Sequence, residues 1–367
     1  MASLSEKLVR YDVFEAVQRH TKLEKHALIR SDIWFADGNI VLIADSAAFK
    51  VHHGQLERHS EVFRDLFSVP QPVDQNLVDG CPSVELYDRP TDLYHLLIAL
   101  YDGIYFQKHT AADFVAIAAV LRLSTKYFIE HLRERCIARL AIDWPTSLPE
   151  WDRREHDGTD SEGRYNPREI FPHPILMLKL AHELDLDTFL PSAFYDLSRY
   201  GPSKILTGTR GPPPIFFTEG EPEGQLVRLS DDHLCTAFLG REAAQLYIHT
   251  FLESALRDRP STNCANVGKL SAVHCIESFY FIHLNVLRSV GGIACGRDAD
   301  PLHTLLQAAE MLERTDFSDG VKTCGLRMCS ICKTEFMDAV KKARLEVWEL
   351  IPEWFGLREP RSVEDMN

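Results

Sequence analysis

Three short strand-like runs lie close together near the start of the chain and constrain the fold most strongly. Asp32–Ala36, Asn39–Ala44 and Phe49–His52 are rich in β-branched and aromatic residues, the composition that strands favour. Asp37-Gly38 separates the first two runs and is a dipeptide typical of a type I′ hairpin turn, because both central positions of that turn need positive φ. The sequence therefore predicts a hairpin between the first two runs and a third strand beside it.

Helical periodicity begins directly after the third run. From Gln55 to Phe67, apolar residues recur every three or four positions, which predicts a helix or a close pair of helices that ends at Pro70. A short strand at 83–87 and apolar helices at 93–101, 111–122 and 125–141 are predicted to follow. Strands followed by helices within one stretch indicate an α/β (α+β) domain over residues 30–142.

The order of these elements resembles the BTB/POZ family. Ser31–Phe35 looks like the opening S-D-V-x-F strand of that family, and Phe49–Phe67 is similar to its F-x-V-H-(basic)-x-x-L-x-x-x-S-x-V-F-x-x-M-F core. Phe114–Leu140 looks like its last pair of helices, whereas Gly54, Leu66 and a long 70–82 loop depart from the pattern. The residues of this chain that carry the motif are Asp32, Phe49, His52, Leu56, Ser60, Val62, Phe63 and Phe67. The resemblance implies a protein-binding domain that often forms homodimers.

The rest of the chain is predicted to be helical. Residues 143–172 are polar and rich in turn-forming residues, which predicts a linker. Gly-Pro-Pro-Pro at 211–214 predicts an exposed loop, because proline cannot continue a helix. An all-α C-terminal region is predicted over residues 173–358, followed by a tail at 359–367, with helices at about 174–186, 188–199, 230–258, 268–289, 301–313 and 333–350.

This C-terminal half resembles one branch of the same family, which is abundant in mushroom-forming (basidiomycete) fungi. In that branch the BTB unit precedes helices with segments like Phe189–Tyr195 and Leu239–Glu242, then a C-x-x-C and a closing segment like Trp348–Leu357. The resemblance brings no activity with it.

The cysteines form a constellation with metal-ligand character. Six of the nine follow residue 260, and Cys329 and Cys332 have the two-residue gap that lets two sulfurs meet one tetrahedral ion. Cys264, Cys275, His274 and Cys324 are candidates for the remaining ligands, and Cys264 and Cys275 complete our predicted set for one structural zinc. The alternative is a group of free thiols that pack as small apolar side chains, with no cofactor.

The first 29 residues read as an amphipathic helix. Its apolar residues recur at helical spacing and form a stripe that must be buried, either against its own domain or across the two-fold axis of a homodimer. These candidate dimer-interface residues are Leu4, Leu8, Tyr11, Phe14 and Val17.

Charge and motifs exclude several classes of function. A formal net charge of −14 and a pI near 5.6 disfavour nucleic-acid partners, because such binding depends on Lys and Arg displacing counterions. No apolar run is long enough for a membrane span, and no secretory signal is predicted, so the thiols indicate the cytoplasm or the nucleus. Phosphate-binding, nucleophile-elbow and H-E-x-x-H motifs are missing from the sequence. We interpret His52 and Ser60 as buried residues with satisfied polar atoms, since no local motif supplies an acid to orient His52, and we expect no enzymatic activity.

Two functional hypotheses follow from the resemblance. The first is a protein–protein interaction scaffold that acts as substrate adaptor of a cullin-type ubiquitin ligase, although the 70–82 loop holds no clear hydrophobic-x-Glu contact motif. The second is a homo-oligomerising structural or transcription-related scaffold without a ligase link.

Overall fold

The chain forms two compact units. The computed structural model describes residues 28–69, 77–103, 110–213, 215–216, 224–257, 263–269, 272–288, 292–293, 296–314, 317–318 and 323–359. The first unit is drawn from Met1–Gln107, Val115–Cys136 and Pro214–Pro222, and the second from Lys108–Phe114, Ile137–Pro213 and Glu223–Asn367. The predicted N-terminal stripe of Leu4, Leu8, Tyr11, Phe14 and Val17 lies outside the described residues.

A five-stranded mixed sheet organises the first unit, with strand order β1-β3-β2-β5-β4. Strands β2 and β3 are antiparallel, as are β4 and β5, whereas β1 runs parallel to β3 and β2 runs parallel to β5. The strands are β1 Ile29–Trp34, β2 Ile40–Ala44, β3 Ala47–Val51, β4 Leu77–Val78 and β5 Cys81–Leu86.

The hairpin lies one strand later than the sequence predicts. Ala44 pairs with Ala47 across a two-residue turn that begins at Asp45, where φ is 47°. The predicted hairpin about Asp37-Gly38 is wrong, because β1 pairs with β3 and not with β2. Gly38 is needed there for space, since a Cβ atom would lie 2.9 Å from Cγ of Lys50.

Helices cover this sheet and share its apolar core. Leu42, Phe49, Leu56, Phe63 and Leu96 are fully buried, which places strand and helix residues of the predicted motif in one core. The helices are α1 His53–His59, α2 Glu61–Ser68, α3 Pro90–Tyr101, α4 Phe114–Lys126 and α5 Glu130–Asp143, of which α5 continues into the second unit at Ile137.

Acidification is expected to destabilise the first unit through His95 in α3. Burial lowers the pKa of His95 from 6.5 to about 4, so the folded state holds this imidazole neutral while the unfolded chain takes up a proton below pH 6.5. Stability from this residue is therefore present above pH 6.5 and lost as the pH falls towards 4, by about 2 kcal/mol between pH 7.5 and 5. Hydrogen exchange of α3 amides at both pH values measures it, and His95→Gln should remove most of the difference. An unchanged pH dependence in that variant would contradict the assignment.

The second unit is mainly helical, as predicted, with two short strand pairs added. Strands β6 Thr209–Arg210 and β7 Leu226–Val227 pair with each other, as do β8 Phe317–Ser318 and β9 Thr323–Cys324. The helices are α6 Leu148–Asp157, α7 Pro174–Leu184, α8 Leu190–Ser198, α9 Pro202–Thr207, α10 Asp231–Phe251, α11 Ala272–Arg288, α12 Pro301–Glu310 and α13 Ser330–Trp354. Within the described part of the chain, no helix has both the length and the apolar character that a bilayer span requires.

The segment predicted as the linker 143–172 contains helix α6 and part of the core. Trp144 and Trp151 are buried, and so is the guanidinium of Arg154. Arg154 lies over the rings of both tryptophans at 5.2 and 4.8 Å from their centroids and donates a 2.7 Å hydrogen bond to Asp196. These residues of the predicted linker are therefore part of a packed unit, because their charges are paired inside it.

Three separate segments that carry the C-terminal resemblance meet at Phe355. The rings of Phe194 and Phe355 stack at a centroid distance of 5.5 Å, and Gly240 of α10 lies directly against the Phe355 ring. The sequence does not show this contact, because the three residues are far apart along the chain.

Gly240→Ala is expected to destabilise the second unit by about 2 kcal/mol or more, since overpacking a closed core forces the surrounding side chains to shift. An added Cβ would lie 1.9 Å from Cε1 of Phe355, and this clash outweighs the gain of up to ~1 kcal/mol from placing alanine in a helix. Thermal unfolding followed by tryptophan fluorescence measures the effect. Leu239→Ala, at an exposed neighbouring position, is the control, and equal stability of the two variants would contradict the packing argument.

Candidate metal centre

Four cysteine side chains converge in the second unit. Cys264 lies in a turn before α11, and Cys275 lies near the N-terminal end of α11. Cys329 is the N-cap residue of α13 and Cys332 lies in its first turn. The sulfur atoms of all four lie within 4.8 Å of one another, so two helix ends and one turn bring together residues from three parts of the chain.

The spacing of the sulfurs fits a tetrahedral ion. Sγ of Cys264 is 3.6 Å from Sγ of Cys275 and 3.8 Å from Sγ of Cys329. Four sulfurs bound at about 2.3 Å from one ion at the corners of a tetrahedron lie roughly 3.8 Å apart. These distances are far longer than the ~2.05 Å of a disulfide bond. The four cysteines could therefore hold a metal ion.

Hydrogen-bond donors surround the sulfurs. The backbone N–H of Asn266 donates to Cys264, that of Cys329 donates to Cys275, and that of Cys332 donates to Cys329, each over 3.4 Å. The side-chain amide of Asn266 donates to Cys275 over the same distance. Donors of this kind stabilise the thiolate form and fix the direction of each ligand.

The pKa of the Cys329 thiol is lowered in the cluster. Burial raises the pKa of its thiol, but hydrogen bonds from the backbone N–H groups of Cys332 and Ala265 outweigh this and lower the pKa to about 6. In general, the helix dipole favours an anion at the N-terminus of a helix, and so it lowers the pKa of a thiol there. A metal ligand must be a thiolate, so the cap geometry favours ligation.

The four sulfurs are largely shielded from solvent. Cys264, Cys275 and Cys332 are buried and Cys329 is half-buried. Four sulfur ligands shielded in this way match the structural class of metal site, which leaves no coordination position open for a substrate.

The structure selects one set from the predicted ligands. Cys264 and Cys275 join the C-x-x-C pair, whereas His274 is not part of the group and its Nδ1 lies 3.7 Å from Oε2 of Glu277. Cys324 lies in β9, and its side chain is outside the part of the structure that is described. These four cysteines are the set that the sequence predicts, although Cys275 and Cys329 are 54 residues apart.

The motif residues of the first unit have structural roles. Ser60 is buried, and its Oγ donates to the carbonyl of Tyr127 over 2.6 Å and accepts from the N–H of Phe63 over 3.2 Å as the N-cap of α2. Phe63 stacks on Tyr127 at 4.3 Å. Phe49 and Leu56 are core residues, Val62 and Phe67 are half-buried, and Asp32 accepts a 3.3 Å hydrogen bond from the Tyr94 hydroxyl. The interpretation of Ser60 as a satisfied buried residue is confirmed.

His52 differs from its interpretation as a buried residue. Its side chain is 31% exposed, its Nδ1 lies 3.0 Å from the Tyr101 hydroxyl, and its Nε2 lies 3.3 Å from a carboxylate oxygen of Asp37. Sequence reasoning missed this acid because Asp37 is 15 residues away. The Asp37 side chain is 86% exposed, so water screens its interaction with the imidazole. The arrangement orients the His52 ring.

No protein-family model matches this chain, and a search of curated proteins finds no match.

Proposed function

We propose that this chain is a non-enzymatic protein–protein interaction scaffold, with a BTB/POZ-type domain over residues 30–142. The observation that carries the proposal is the order of elements in the first unit. A β2–β3 hairpin precedes the helix pair α1–α2, and strand β5 then returns parallel to β2 before α3, α4 and α5. This order agrees with the succession of strands and paired helices that the resemblance implies.

The roles of the motif residues support the same proposal. The Ser60 hydroxyl donates to one backbone carbonyl and accepts from one backbone N–H, so it is not available as a nucleophile. The polar motif residues of the first unit hold its own backbone, which suits a domain that binds partners through its surface. The helical second unit would then recruit a further protein.

We further propose that the four cysteines hold one structural zinc. Cys264, Cys275, Cys329 and Cys332 present four sulfurs at tetrahedral spacing with N–H donors behind them. Zinc favours this ligand set and closed geometry. When bound, it would join the turn at 263–267 and the starts of α11 and α13, and so stabilise the fold of the second unit.

The scaffold proposal is tested by affinity purification of the tagged full chain from its own cells, read by mass spectrometry. Recovery of a cullin in near-equal amount would assign the chain as a substrate adaptor of a cullin-type ubiquitin ligase. Recovery of untagged copies of the chain would assign a homo-oligomerising scaffold. Recovery of no protein above the level of an untagged control, from cells in which the chain is folded, would contradict the proposal.

A further inference from the structure

Helix α11 carries apolar residues on two different faces. On one face, Ile282 and Val286 are fully buried, and the Phe279 ring meets Phe336 of α13 edge to face at 5.5 Å. On another face, five apolar residues recur at helical spacing and form a stripe: Val273, Ile276, Tyr280, Leu284 and Leu287. The first three are 52%, 41% and 59% exposed, and the last two are half-buried. A contiguous exposed stripe of this kind marks a surface for a further partner.

The stripe forms one wall of a groove of about 650 Å³ within the second unit. The other wall is the π-helical turn Leu252–Leu256, which continues α10, together with Arg257. The part of α11 that lines the groove runs from Ile276 to Arg288, which is roughly 18 Å along the helix axis. The groove therefore has the length of a helix of about three turns.

Charged side chains in this groove are balanced in sign. Among the described residues that line it, Glu253 and Glu277 are acidic, and Arg257 and Arg288 are basic. Glu253 and Arg257 pair with each other over 2.7 Å. The whole chain has a formal net charge of −14, so two copies repel each other at long range. A surface with both signs of charge is one on which two copies can nevertheless attract each other.

Glu277 and Arg288 make the charge pattern of α11 self-complementary. They are eleven residues apart, which is close to three full helical turns, so both lie on the same flank of the apolar stripe. A second α11 that runs antiparallel about a two-fold axis near His283 would bring its Arg288 opposite Glu277, and its Glu277 opposite Arg288. Tyr280 would then lie opposite Leu284 of the second copy. Because the contact is two-fold, each of these pairs forms twice.

We propose that the groove beside α11 is a self-association surface, on which the α11 helices of two copies pack antiparallel through the apolar stripe and two reciprocal Glu277–Arg288 ion pairs. The proposal rests on the scaffold function and specifies one surface through which that scaffold assembles. It involves neither the predicted N-terminal stripe nor a cullin.

Charge reversal in the full chain tests the ion pairs, with sedimentation equilibrium as the measurement. The unaltered chain is expected to form dimers. Glu277→Arg and Arg288→Glu each turn both ion pairs into like-charge contacts, and each should raise the dissociation constant of the dimer at least about tenfold. An equimolar mixture of the two variants should associate as the unaltered chain does, because the arginine introduced in one then faces the glutamate introduced in the other.

Restored association in the mixture is specific to this antiparallel arrangement. Glu277 and Arg288 are both exposed, so their reversal should leave the thermal unfolding of the second unit unchanged. A chain that is monomeric at micromolar concentration, a dimer unaffected by either reversal, or a mixture that associates no better than each variant alone would overturn the proposal. A monomeric chain that still recovers other proteins from its own cells would overturn this surface and leave the scaffold function supported.

Tyr280→Ser tests the apolar stripe independently of charge. It removes the most exposed aromatic ring of the stripe and should also raise the dissociation constant at least about tenfold, since buried aromatic residues carry much of the binding energy of an interface. Leu246→Ser removes a side chain of α10 that is 64% exposed and lies outside the groove, and it is the matched control. Equal dissociation constants for the two variants would contradict packing through α11.

Discussion

Replacing Cys329 by serine is expected to release the proposed zinc and to destabilise the second unit by more than about 4 kcal/mol, which is a fraction of the ~10–16 kcal/mol that structural zinc contributes in small zinc-binding peptides. Serine is a better N-cap than most residues, so the cap hydrogen bond to the N–H of Cys332 survives the substitution. The variant therefore separates ligation from capping, and an uncoordinated cluster of thiols would tolerate it with little change.

The loss is measured by thermal unfolding and by metal analysis of the same sample. Four of the five tryptophans, at positions 144, 151, 348 and 354, belong to the second unit, so their fluorescence reports mainly on that unit. A fall of ~10 °C or more in Tm is expected, and a zinc chelator should reproduce it in the unaltered chain. Cys235→Ser, which removes an exposed thiol, is the control. A Cys329→Ser variant as stable as this control would contradict zinc ligation.

Asp196→Asn is expected to destabilise the second unit by about 3–5 kcal/mol, because it removes the buried carboxylate that three arginines share. Asp196 in α8 accepts hydrogen bonds of 2.7, 2.7 and 2.6 Å from Arg154, Arg168 and Arg199. Arg199 also bonds to Glu155, which extends the network. The asparagine keeps the shape of the side chain but accepts fewer bonds and carries no charge.

Urea unfolding measures the free energy of unfolding of Asp196→Asn and of the control variant Asp160→Asn. Asp160 pairs with Arg164 at the surface, where water screens the interaction between the two charges. Equal losses in the two variants would contradict a buried network.

The same network sets the response of the second unit to acid. Burial raises the pKa of Asp300, but Arg199, His303 and Arg297 outweigh it and lower the pKa to about 2. The arginines around Asp196 likewise lower the pKa of that carboxyl well below its ordinary value of 3.8. Both groups therefore contribute stability above about pH 4, which is lost as the pH falls through their folded-state values.

Local patterns predicted much of the first unit, but not how its strands pair. The apolar spacing around Leu56 and Phe63 predicted the helix pair and its core residues, because that signal lies within one or two turns. The pairing of β1 with β3 depends on contacts across 16 residues or more. Asp37-Gly38 looks like a hairpin turn in sequence, but the structure uses Gly38 for its close approach to Lys50.

Charged residues in the segment 143–172 are the reason that the sequence predicts a linker there. Arg154 and Glu155 look like surface residues in sequence, but Arg154 meets Asp196 42 residues later. The apolar spacing of Trp144, Leu148 and Trp151 is helical and could have indicated α6. The sequence predicts Cys264 and Cys275 as ligands beside the C-x-x-C motif, whereas the distances between the four sulfurs depend on how α11 and α13 pack.

The most direct measurement is the zinc content of the folded chain, purified without added metal, together with X-ray absorption at the zinc edge. We expect about one zinc per chain, bound by four sulfur atoms at ~2.3 Å. Folded protein with metal content near zero and Cys264, Cys275, Cys329 and Cys332 all present as reduced thiols would contradict it.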